Sequence, residues 1–354
     1  SGATTLNAGT LALGSSNALG GLTLNTGNTN TIGFAGGALQ FSSSNKSDYS
    51  ARFSTAASQA YAIDTNGESV TLATALTSSG GSLTKLGSGT LTLSGANTYS
   101  GTTTISSGTL AVSGSLSDTT QVNVASGGVY RVDVDDTVGS IEGAGSITTG
   151  AASGTVTLTA DVDVSLSKTF SGVASDGGSA KLALTKSGLG SLTLSGANTY
   201  TGTTTVSAGT LVLAGGSAIA DTSAVILGTA GANLTLSANE AVGSLVGVTG
   251  TTVSLGSHTL TTGDTSSTEY AGVVSGTGGL TKQGSGTFTL SGANDYTGAT
   301  TVSAGTLALS GGSAVADTSA VILSTAGANL TLNANEAVGS LAGVAGTTVT
   351  LGSR

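Results

Sequence analysis

Residues 83–112 read LTKLGSGTLTLSGANTYSGTTTISSGTLAV, 184–213 read LTKSGLGSLTLSGANTYTGTTTVSAGTLVL, and 280–309 read LTKQGSGTFTLSGANDYTGATTVSAGTLAL. The copies begin 101 and then 96 residues apart, and 184–258 agrees with 280–354 at about 60 of 75 positions without a gap. Near-identity at a long, regular period constrains a chain to stacked units that bury one shared core. Most enzyme architectures have no place for such a period.

Within each copy the pattern is that of short strands. In TLTLS (90–94) Leu91 and Leu93 alternate with Thr90, Thr92 and Ser94, so the leucines share one face and the hydroxyls the other. TLVLA (210–214), NLTLS (233–237), TVSL (252–255) and Val122–Val124 repeat the pattern. Corners fall every five to ten residues, and Gly87, Gly95, Gly108, Gly196, Gly209, Gly292 and Gly305 are expected there with positive φ. No helical period competes. A sandwich needs dissimilar edge, centre and corner strands, and a propeller repeats at roughly 40–50 residues. Alike modules with small branched inner residues predict an all-β parallel β-helix, a solenoid. At roughly 20 residues per coil the chain holds roughly 17 coils on the order of 80 Å long.

The solenoid is expected to run continuously over 1–354, in modules 1–82 (partial), 83–183, 184–279 and 280–354 (partial). Residues 1–13 align with 297–309 and 347–353 with 251–257, so both ends are expected to cut a module open. The reading is a segment of a longer protein whose signal and membrane anchor would lie outside it.

Composition narrows the chemistry. There are 58 Gly, no Pro, Cys, Met or Trp, 8% charged residues and a net charge of −9 without a basic block. Nucleic acid is therefore not an expected partner. Thiolate metal sites and disulfides are excluded by the lack of cysteine. No run approaches the roughly 18 apolar residues of a membrane helix.

The block LTKxGxGxLTLSGANTYxGxTTxxxGTL resembles the autotransporter-associated β-strand repeat, abbreviated PATR, of type V secreted passengers and related large bacterial surface proteins. The resemblance rests on Leu91, Leu93, Asn97 and Tyr99, on Leu192, Leu194, Asn198 and Tyr200, and on Phe288, Leu290, Asn294 and Tyr296. It implies a right-handed β-helix at the surface of, or outside, a Gram-negative bacterium, serving as stalk, adhesin or secretion aid, with a C-terminal barrel in the outer membrane. The Gly-Asp-Ser-Gly motif of protease passengers does not occur.

Chemistry-bearing residues are sparse. His258, the only histidine, could pair with Ser257 and Asp264, but the next module places Arg354 at its position, and a surface role is the better reading. In YRVDVDD (130–136) and DVDV (161–164), Val132, Val134 and the valines beside Asp161 and Asp163 are expected inward. Asp133, Asp135, Asp161 and Asp163 then face out as one ladder. Four such carboxylates could hold Ca²⁺, although a solvated edge that discourages lateral aggregation is preferred. Tyr99, Tyr200 and Tyr296 are expected to fill corners with hydroxyls in water, the alternative being platforms for sugars. Lys85, Lys186 and Lys282 are expected in solvated turns. Outward Thr90/Thr92 and Thr102/Thr104 invite an ice-binding reading, but such pairs come in bursts and not on every coil.

No catalytic residue, cofactor or firm metal site emerges. The expected function is a non-enzymatic structural or adhesive rod, self-associating with neighbouring copies, with host or environmental glycans as possible partners. A carbohydrate-binding or carbohydrate-cleaving β-helix is the alternative, and an end-to-end filament subunit or ice-binding surface stands behind it. Carbohydrate cleavage needs carboxylates at defined separation in a lined groove.

Overall fold

The computed structural model describes residues 3–15, 18–19 and 30–352. The fold is all-β with parallel strands, a β-solenoid of about 16 turns against the roughly 17 expected. Among the described residues there is no α-helix, only a 3-10 turn over Ser50–Arg52. The chain divides into two compact units, one formed by Ser1–Asp161 and Lys168–Leu182, the other by Val162–Ser167 and Ala183–Arg354.

In the first unit one ladder runs Ala60–Asp64, Ser82–Leu86, Thr103–Ile105, Gln121–Val124 and Ser140–Gly143, each strand parallel to the next. A second runs Ser69–Leu72, Thr90–Leu93, Gly108–Val112, Gly128–Val132 and Ser146–Thr148, also parallel throughout. Partners lie about 20 residues apart, so each pairing joins one turn of the coil to the next. The register is residue on like residue: Val70, Leu91, Leu110 and Tyr130 stack inward, as do Leu72, Leu93, Val112 and Val132. Each such Leu or Val contributes about 1.5–3 kcal/mol by leaving water. Phe34, Phe53, Tyr61 and Tyr99 add a run of ring contacts with centroids 4.9–6.4 Å apart.

The second unit repeats this plan in three ladders. One follows Ser191–Leu194, Thr210–Leu213, Asn233–Leu236, Thr252–Ser254 and Val273–Ser275. Another contains Thr204–Val206, Ala224–Leu227, Ser244–Gly247, Thr268–Tyr270, Thr287–Leu290 and Thr306–Leu309. The third contains Glu240–Val242, Leu260–Thr262, Leu280–Lys282, Thr300–Val302 and Ala320–Leu323.

The corner glycines divide into two kinds. Gly108, Gly209 and Gly305 adopt φ of 64°, 63° and 64°, which disfavours a side chain. Gly95 and Gly292 are not in that region, contrary to expectation. A Cβ on Gly292 would lie 1.8 Å from the Gly272 carbonyl oxygen one turn away, so closeness between turns is what requires glycine there.

Two inward valines are corrected. Val134 is 41% and Val164 69% exposed. The strand ends at Val132, where Asp133 turns the chain by pairing with Arg131 and accepting the Gly150 N–H. Val164 sits in a turn after Val162, outside any strand.

Candidate functional site

Each 30-residue repeat is two successive turns of the coil. Its first strand pairs with its third, as in Leu83↔Thr103 and Lys85↔Ile105, and its second with its fourth, as in Leu91↔Leu110 and Leu93↔Val112. The copies at 184–213 and 280–309 have the same internal pairing. The motif tyrosines occupy the corner before the third strand. Tyr99, Tyr200 and Tyr296 are fully buried, and their hydroxyls bond the equally buried Thr103, Thr204 and Thr300 Oγ1 at 2.5, 2.6 and 2.6 Å. The expected contact with water is overturned, because the hydroxyl finds its partner four residues on, inside the coil. Burial raises the affinity of each phenol for its proton, to a pKa of about 12 at Tyr296.

The motif asparagines join turns. Asn97 Oδ1 accepts the Leu76 N–H (2.9 Å), and its Nδ2 donates to Gly95 and Ser115 carbonyls at 2.9 Å. Asn294 does the same with Val274 (2.7 Å), Gly292 (3.2 Å) and Ala314 (2.8 Å). Asn198 Nδ2 donates to Gly196 and to Ala218 (2.7 Å).

The next turn supplies a carboxylate that sequence reasoning missed. The Leu116 N–H donates to Asp136 Oδ1 (3.2 Å), Ile219 N–H to Glu240 Oε1 (2.7 Å), and Val315 N–H to Glu336 Oε1 (2.7 Å). The two-residue corner after each motif is thus held through its carbonyl by asparagine and through its amide by an acid. The signal was present as an acid two residues before Val-Gly-Ser in all three modules: Asp136, Glu240 and Glu336.

The lysines reverse their expected placement. Lys85, Lys186 and Lys282 are 0%, 0% and 1% exposed. Lys85 Nζ donates to the carbonyls of Leu86 (2.8 Å), Gly87 (2.7 Å) and Ser107 (3.1 Å). Lys186 and Lys282 make the same three contacts, with Ala208 and Ala304 at 3.2 Å supplying the carbonyl from the next turn. An ammonium has three donors, and all are engaged. Burial lowers the pKa of Lys85 and Lys282 to about 8, with Asp64 and Asp264 opposing that shift.

The remaining candidates are dispersed. Asp135 accepts the Thr157 N–H and Asp163 caps Ser165, while Asp161 and Asp163 fall in different compact units. Among the described residues no group of three or more His, Cys, Asp or Glu is placed to share a metal ion. His258 is half-buried; Asp264, its suggested partner, accepts the Ser266 N–H and lies beside Lys282. Arg354 lies outside the described residues. Thr90, Thr92, Thr102 and Thr104 do face outward. In the second unit Thr261, Thr281 and Thr301 align on successive turns, but Ile322 and Ala342 follow, so the threonine row ends.

A family model described as the passenger-associated-transport-repeat matches residues 1–13, 83–112, 184–213 and 280–309. These segments are passenger-associated-transport-repeats. No curated protein and no solved structure matches the chain. The passenger-associated-transport-repeats and the parallel coil fit the stalk of an autotransporter passenger. Within the second unit the repeats do not stack on one another. The third strand of one, Thr204–Val206, shares a ladder with the second strand of the next, Thr287–Leu290. Corresponding side chains of these two repeats therefore belong to different faces of the coil.

Proposed function

We propose that this chain is a non-enzymatic stalk or adhesive segment of a secreted surface protein of a Gram-negative bacterium. One observation carries the reading: the most faithfully repeated polar residues, Lys, Asn, Tyr and Thr of each motif, are consumed inside the coil. They bond backbone and each other, which leaves them no atoms for a substrate. The outer faces carry rows such as Ser69/Thr71 and Thr90/Thr92 on adjoining strands, suited to contact through many weak polar groups. The partner in this reading is a neighbouring copy lying alongside, paired through such rows.

All seven Tyr and five Phe are buried, and there is no Trp, so no aromatic ring faces solvent to stack on a sugar. The carbohydrate reading is accordingly the weaker. A glycan array together with a reducing-sugar assay on the purified chain tests both. Silence in both supports the stalk, and saturable glycan binding or sugar release overturns it. Sedimentation velocity over a concentration series tests lateral association, with an unchanged monomer at every concentration as the refuting result.

A further inference from the structure

The acid that holds each corner amide has a property that the asparagine holding the carbonyl lacks: it titrates. Glu240 is the sharpest case. It opens the strand Glu240–Val242, opposite Leu260 of the adjoining strand, and is only 3% exposed. Its Oε1 accepts the Ile219 N–H at 2.7 Å, while its Oε2 is buried and has no hydrogen-bond partner. The titratable groups that face it are Asp221, a like charge on the preceding turn, and Tyr200, whose hydroxyl is engaged with Thr204. The lysines of this unit's repeats, Lys186 and Lys282, spend their Nζ on carbonyls. An ionised carboxylate with a buried oxygen, no cation and an acidic neighbour is costly, and proton uptake removes that cost.

Asn294 shows that a neutral group performs the same task. Its Oδ1 accepts the Val274 N–H at 2.7 Å, the distance of the Glu240–Ile219 bond. One neutral oxygen is enough to hold an amide of this kind.

We propose that Glu240 is a proton-binding site that couples the second unit to pH, so that this corner of the coil is held more firmly in mildly acidic surroundings than at neutrality. Burial, opposed by the Ile219 and Ala218 amides and reinforced by Asp221, raises the Glu240 carboxyl above its ordinary 4.5. In the window above 4.5 the folded chain keeps a proton that the unfolded chain has lost. Stability contributed by this group is then fully present below the unfolded value and is lost as pH rises through the folded one.

The test compares the wild-type chain with Glu240→Gln, which retains an oxygen for Ile219 and cannot titrate. Urea unfolding and Ile219 amide exchange are followed from about pH 7 to about pH 5. The wild type should show slower Ile219 exchange at the acid end, after correction for intrinsic rates, and the variant should lose that difference while unfolding no earlier at neutral pH. An equal pH response in both proteins overturns the proposal. Should the variant fail to fold, titration of ¹³C-carboxyl-labelled glutamate in the wild type decides. A Glu240 midpoint above 4.5 sustains the proposal, and one at or below 4.5 refutes it.

Discussion

A lysine ammonium can donate three hydrogen bonds, and at Lys85, Lys186 and Lys282 all three go to backbone carbonyls of two adjacent turns. Desolvation still disfavours the charge, which is why Lys85 and Lys282 titrate near 8 and not 10.5. Between these values the unfolded chain binds protons that the folded chain has released, so stability rises with pH across that window. The buried tyrosines act oppositely. Tyr270 and Tyr296 are pushed from 10 to about 12, so above pH 10 the unfolded chain loses protons that the folded chain keeps, and stability falls. The urea midpoint should therefore climb from pH 8, peak near pH 10 and decline; removing Lys85 and Lys282 as methionines should flatten the climb and leave the decline. A midpoint that falls steadily from pH 8 would refute this. The burial of Lys85 was legible in LTK, since Leu83 and Lys85 are two apart and must share a face. The general preference of lysine for water obscured it, because sequence does not reveal carbonyls waiting inside a corner.

At the scale of the strand, alternation was enough to place Leu91 and Leu93 in the core and Thr90 and Thr92 outside. It failed where a strand stopped early, at Val134, because the Arg131–Asp133 pair and the bond from Gly150 turn the chain. It also could not find the clamps, whose partners lie 18–21 residues away: Asn97 reaches Leu76 in one direction and Ser115 in the other. Asn97→Ala leaves the buried Leu76 N–H without its acceptor, which costs about 1–3 kcal/mol. The urea midpoint should drop accordingly, with Leu76 amide exchange accelerating first; slow exchange at Leu76 in that variant would contradict the clamp. Leu93→Asp is the harsher lesion. It sets an unpaired carboxylate between Leu72 and Val112, with no cation partner in the stack. Because a solenoid's stability is a sum over neighbouring turns, melting of this variant should begin early and locally. An unchanged, fully cooperative melt would count against distributed stability.

Over the chain as a whole, the expected turn count followed from taking roughly 20 residues per coil, and about 16 turns stand against roughly 17 expected. The division into two units has no counterpart in the repeat pattern, because both units are built from the same rung. Charge is the other property of this scale. Four of the nine basic residues, Arg52, Lys85, Lys186 and Lys282, are buried on backbone carbonyls. Lys46, Arg131 and Lys168 are paired with Glu68, Asp133 and Glu142. Each of these three pairs cancels one acid, whereas the four buried cations place their charge inside the coil, so the surface is more negative than the net −9 conveys. Two copies approaching side by side repel before their hydroxyl rows can meet. Salt shortens the reach of that repulsion, from about 30 Å at 0.01 M to about 8 Å at 0.15 M, without weakening contacts between neutral hydroxyls. Lateral association should therefore strengthen as salt is raised across that range, which sedimentation velocity would record as a rising weight-average mass. Association that weakens with salt would mean that the copies meet through opposite charges, and the hydroxyl rows would lose their assigned part.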